Sequence, residues 1–168
     1  MKTLSRYLLI IGLILSLIGC AANSTSSPTA IKSSDDQRAL QVLVAFLENL
    51  NAGKYDEAAL VYGGTYETMK SWNPDIDPGD HSVLLRNACT INGVQCLQIK
   101  SLSLEKKVSD TEFVFKVEFL NGDGTLFVLG PCCGGNATDS PPQSVFHLTV
   151  MKVDDNKFAV MDMPPYAP

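Results

Sequence analysis

The sequence predicts an α+β domain: three or four N-terminal helices packed on a curved antiparallel sheet of four or five strands. Three observations carry this. Apolar residues recur at helical spacing from Leu40 to Leu50. After Asn92-Gly93 the apolar period changes from 3.6 to 2. In "EFVFKVEFL", Phe113, Phe115, Val117 and Phe119 share one face while Lys116 and Glu118 share the other. Helices that precede strands, with strands joined mostly by short hairpins, define an α+β order. The 168 residues suit one domain with a leader, and a composition of 45% hydrophobic and 18% charged residues suits a packed globule.

The first helix spans 35–52. Ser34 with Gln37 three residues on has capping-box spacing, and Asp35 and Asp36 favour the positive end of the helix dipole. Leu40, Leu43, Val44, Leu47 and Leu50 form its apolar stripe with Phe46 on the flank, and Gly53 reads as the C′ residue. A second helix, "KYDEAALVYGG", runs to Gly63-Gly64; a third, 65–72, ends at Asn73-Pro74. Asp77 before Pro78 reads as the N-cap of a fourth helix, with Asp80 at N3, running into Cys89.

The strands follow. In 96–108, Leu97 and Ile99 lie on one parity and Leu102 and Leu104 on the other, so a bulge near Lys100–Ser101 is expected to restore one face. The plain strand 112–120 comes next. "NGDG", 121–124, is a hairpin turn leading into "TLFVLG". "SVFHLTVMKV" places Phe146, Leu148 and Val150 on one face, "DDNK" turns it into "FAVMDM", and "PPYAP" is an extended tail.

Ahead of the domain, residues 1–19 read as a signal peptide: Lys2 and Arg6, then an apolar run from Leu8 to Ile18 that is shorter than a membrane span. The run closes on Leu17-Ile18-Gly19-Cys20, which resembles the bacterial lipobox. The resemblance implies cleavage before Cys20 and acylation of that cysteine, each buried methylene adding about 0.8 kcal/mol to anchoring. Residues 20–34 are then the lipidated cysteine and a Ser/Thr-rich flexible tether, and 35–168 the folded domain. The expected location is the cell envelope, on a membrane outside the cytoplasm; Ala21, which is not an aspartate, points to the outer membrane where a cell has two.

Net charge is −5, and −7 once Lys2 and Arg6 leave with the leader. An acidic domain without a Lys/Arg cluster excludes an electrostatic footprint for nucleic acid. It also excludes attraction to anionic lipid, so the membrane is reached through the lipid anchor.

Helices followed by a curved antiparallel sheet resemble the nuclear-transport-factor-like, or cystatin-like, α+β cone. The stretch "ALQVLVAFLENLNAGKYDEAALVYGG", 39–64, is similar to the opening of small bacterial lipoproteins of that superfamily, which share an "FL…L..G.YE.A..L" rhythm. The superfamily includes isomerases and dehydratases, ligand binders, and modules with no known activity, so the resemblance implies a fold and leaves the function open. Its enzymes place an Asp, His or Tyr inside the cone as general acid or base. The possible counterparts, Tyr62, Tyr66, His147 and Asp162, match no family motif residue by residue, and none is carried over as catalytic.

With Cys20 assigned to lipid, Cys89, Cys96, Cys132 and Cys133 make an even four in an oxidising compartment. Three pairings are possible. Cys132 with Cys133 ranks last because adjacent residues close a strained ring. The other two each tie the 132–133 loop to both ends of the 89–96 segment, and they are preferred without a choice between them. Zinc-ligand and C-x-x-C redox spacings are absent. Asp75, Asp77 and Asp80 depart from a calcium loop and read as capping residues. "NAT", 136–138, has sequon form with no bearing in a bacterial chain. No nucleotide loop, nucleophile elbow or zincin motif occurs, so neither cofactor nor metal is expected. The chain reads as a non-catalytic envelope domain that binds a protein partner or a small ligand. The rival readings are a cone enzyme with a pocket acid and base, and a thiol or metal protein.

Overall fold

The computed structural model describes residues 34–131, 136–138 and 141–167. The leader, Cys20 and the tether through residue 33 lie outside the described residues, as do Cys132 and Cys133. Four helices, α1 (Asp35–Asn51), α2 (Tyr55–Ala59), α3 (Glu67–Trp72) and α4 (His81–Thr90), precede four strands, β1 (Gln98–Lys107), β2 (Glu112–Leu120), β3 (Phe146–Asp154) and β4 (Lys157–Val160). The strands form one antiparallel meander in the order β1-β2-β3-β4. The class is α+β, as the order of periods requires. No helix among the described residues is long and apolar enough to cross a membrane.

Helix α1 lies on the sheet and buries Ala39, Leu43, Phe46, Leu47 and Leu50. Its stripe is rotated from the expected one: Phe46 is central and fully buried, stacked on Tyr62 at 5.5 Å, while Leu40 and Val44 lie at the margins. Ser34 stands at the N-cap, but the capping box does not form. Its hydroxyl instead bonds the Asp36 carboxylate and holds it below the usual carboxylate range. The C-terminal end matches expectation, with Gly53 at φ +73°.

The first turn of α1 is tied to the β3–β4 hairpin. Asp35 accepts from Lys152 Nζ at 2.9 Å and from Arg38, and Arg38 also donates to Asn156 Oδ1 at 2.9 Å while lying over the Phe158 ring. The Lys152 bond, then the Arg38 bond, lowers Asp35 from an ordinary 3.8 to about 2. A carboxylate whose pKa falls on folding stabilises the fold fully above the unfolded value. That contribution is lost as pH falls through about 2. Acid titration of the folded chain is therefore expected to show unfolding between pH 3.8 and 2 that Asp35→Asn makes less steep, read by circular dichroism.

Helix α2 ends at Ala59, earlier than the Gly63-Gly64 stop. The chain leaves the helix because residues 61–63 pair with β4: Val160 N–H donates to Val61 O and Gly63 N–H to Val160 O, both at 2.8 Å. Helix α4 starts at His81, and its N-cap is Asp80, whose carboxylate accepts from Val83 N–H at 3.2 Å. Asp77 is not the cap. It accepts from Gly79 N–H at 2.8 Å in a separate turn, which Asp80 N–H closes on Asp77 O.

In β1 the register shifts between Ile99 and Ser101, so Lys100 is the expected bulge. Ile99 then opposes Phe119 and Leu102 opposes Val117 on one face. A second shift lies between Leu104 and Lys106, where no change of apolar parity marks it in the sequence; Leu104 is left 40% exposed. Phe113, Phe115, Val117 and Phe119 of β2 all have zero exposure. "TLFVLG" forms no fifth strand. It makes only isolated bridges, Leu120–Leu126 and Leu129–Gln143, the latter with two hydrogen bonds of 2.8 and 2.9 Å across the base of the 130–142 loop.

Candidate functional site

Three of the four residues offered as acid–base candidates gather at one corner, and the fourth does not. Tyr62 sits edge-on to Tyr66 at 5.0 Å, and Tyr66 stacks on His81 at 3.9 Å, extending the ring series that begins at Phe46. Gly64 makes the corner possible: a Cβ there would overlap both the Tyr62 hydroxyl and the Met161 carbonyl. Burial, then the nearby Asp162 charge, pushes Tyr62 up to about 12; burial, then Tyr62, does the same to Tyr66. Both phenols stay protonated at neutral pH, so neither is poised as a base.

Tyr62 donates to Thr65 O at 3.2 Å, and Asp162 accepts from Thr149 N–H at 2.7 Å. Both groups are engaged in holding backbone. Tyr66 Oη is buried without a hydrogen-bond partner among the described residues. Tyr66→Phe is expected to raise stability by about 1 kcal/mol, because it removes an unpaired buried hydroxyl and keeps the ring contacts. A urea unfolding curve checks this; a loss of similar size would mean that the hydroxyl has a partner.

His147 lies on the outer face of the sheet. It is not simply exposed: Nδ1 is 2.6 Å from Glu105 Oε2, and Lys116 Nζ is 3.5 Å from the other oxygen of the same carboxylate. Glu105 is the residue left over at the second bulge of β1, which places it within reach of both. The His147 bond, the larger cause, and Lys116 hold Glu105 below the usual carboxylate range.

The cysteines pair differently from the preferred scheme. Cys89 is bonded to Cys96, with Cα atoms 5.5 Å apart, so neither end of the 89–96 segment is cross-linked to the 132–133 loop. The reason is a local chain reversal. Ile91 and Asn92 N–H groups fold back on Asn87 O, Gly93 takes φ +87°, and Val94 N–H reaches Ala88 O at 2.9 Å. Among the described residues no group of three His, Cys, Asp or Glu side chains is placed to hold a metal ion. Asp77 and Asp80 are occupied by the backbone amides of their turns.

Beside the disulfide lies a feature that no sequence pattern marks. The tail pairs antiparallel with the 93–95 segment, Gln95 N–H to Pro165 O at 2.8 Å and Ala167 N–H to Gly93 O at 2.9 Å. This lays Tyr166 on Trp72 at 5.2 Å. Trp72, Ile91, Asn92, Gly93 and Tyr166 line a surface notch of about 270 Å³. Ile91 is 72% exposed and Tyr166 45%. No local pattern signals a contact between residues so far apart in sequence.

Comparison of the chain with protein-family models, with curated proteins and with solved structures returned no match.

Proposed function

We propose that this chain is a lipid-anchored envelope domain without a catalytic role, whose work is to bind a protein partner through its surface. One observation supports the reading above the others. The space between α1 and the sheet, where a cone protein would hold a ligand, is filled by Leu43, Phe46, Phe113, Phe115 and Phe119, all at zero exposure. A molecule that recognises this domain therefore meets its outside. The engagement of Tyr62 and Asp162 with backbone points the same way, because a general acid or base must be able to reach a substrate proton. The anchor rests on the lipobox resemblance at 17–20 and on the tether that follows it.

The test is the full chain expressed in bacteria with a labelled palmitate analogue. Label and membrane fractionation are expected, and both should be lost in Cys20→Ala. A wild-type chain that stays unlabelled and in the soluble fraction would overturn the anchor. Native mass spectrometry of the same material tests the rest. A small organic molecule held in stoichiometric amount would replace surface binding by ligand binding.

A further inference from the structure

The notch beside the disulfide joins an exposed apolar floor to a one-sided charge. Trp72 and Tyr166 supply stacked rings, and Ile91 an exposed aliphatic side chain. Its rim is the turn that follows Trp72. Asn73 Nδ2 donates to Asn92 Oδ1 at 3.0 Å, and Ile76 N–H closes on Asn73 O at 3.1 Å, so this turn is fastened to the notch wall. Asp75 stands in the turn and is exposed, with Asp77 and Asp80 just beyond. Over the stretches that flank the lining residues, 70–80, 87–97 and 163–167, the sole Lys or Arg is Lys70, held by Glu67 at 3.1 Å. The chain as a whole is acidic.

We propose that this notch docks a basic segment of a protein partner, an arginine or lysine lying along the Trp72–Tyr166 rings with its charged head toward Asp75. The inference rests on the partner-binding reading above and names its site and the partner's chemistry. Long basic side chains combine an aliphatic stem, which suits Ile91, with a cation attracted to ring faces and to carboxylates. A second copy of this chain would bring an acidic rim against an acidic rim, and an anionic lipid surface would be repelled in the same way. The floor is held in place before binding, by the Cys89–Cys96 bond on one side and the Val94–Tyr166 bridge on the other. Little ordering is then left to oppose association.

Trp72 is the only tryptophan, so its emission reports on this notch directly. The full chain in non-ionic detergent is titrated with the blocked peptide Leu-Arg-Leu-Arg, and in parallel with Leu-Glu-Leu-Glu. A saturable emission change is expected with the basic peptide alone, weakening as salt is added. Ile91→Ser and Asp75→Asn alter exposed side chains and leave the core intact; each is expected to weaken binding by at least about fivefold. Circular dichroism verifies that both variants are folded. Absence of a saturable response, an equal response to the acidic peptide, or full binding by both variants would overturn the proposal. A partner that cross-links equally to wild type and Ile91→Ser would sink the notch and leave partner binding standing. The absence of a cross-linked partner, with the peptide response intact, would count against the partner-binding reading instead.

Discussion

Phe115→Ala is expected to destabilise the domain by about 3–5 kcal/mol. The ring is fully buried at the centre of β2, with Leu104 of β1 and Leu148 of β3 as its register neighbours. Removing it deletes apolar contacts and leaves a cavity that Phe113 and Val117, its fully buried same-face neighbours along β2, are too constrained to fill. A domain of this size has about 5–15 kcal/mol in total, so the variant keeps a small margin or none. Phe115→Leu, which preserves most of the volume, should lose under about 1.5 kcal/mol. Urea midpoints for the two variants give the comparison. A loss below about 1 kcal/mol for the alanine variant would mean that the interior is loosely filled. That result would also undercut the surface-binding reading, since it would restore a cavity between α1 and the sheet.

The second large effect is expected at Gly93. Its φ of +87° lies where a side chain is strained, and a Cβ would stand 2.5 Å from the Ala167 carbonyl oxygen. Gly93→Ala therefore combines a left-handed backbone penalty with a clash against backbone, together about 2–4 kcal/mol. The tail is the part able to move. Its release breaks the Ala167–Gly93 and Gln95–Pro165 hydrogen bonds and lifts Tyr166 from Trp72. Two readouts are expected to change together, the unfolding midpoint and Trp72 emission. Gly122→Ala is the control: nothing lies within 4 Å of a Cβ there. Its effect is expected to stay within about 0.5 kcal/mol. A Gly93 variant as stable as that control, with unchanged emission, would show that the tail does not hold the notch.

The two effects differ in how legible their causes were. The burial of Phe115 follows from period-two alternation over 113–119, which needs no knowledge of the rest of the chain. The same holds for α1, and for the bulge at Lys100, which a change of parity within one strand revealed. The tight spot at Gly93 depends on a tail more than 70 residues away. Nothing in "NGV" or "PPYAP" states that they pair.

The sequence by itself determined the class, the meander and the inward faces, because each depends on spacing along one element, and burying one face of an element selects that spacing. It also carries the lipobox resemblance at 17–20 on which the proposed anchor rests. Only the tertiary structure decided which cysteine meets which, where α2 and α4 begin and end, and that "TLFVLG" falls short of a strand. Only it brought the rings of Tyr62, Tyr66 and His81 together, edge-on and then stacked, paired His147 with Glu105, and laid Tyr166 on Trp72. Those outcomes depend on how the chain reverses between elements, at Gly93, at Gly64 and at the Asp77–Asp80 turn. At such reversals backbone groups choose among several partners with similar local energies. The long-range packing then selects the one that leaves the fewest groups unpaired.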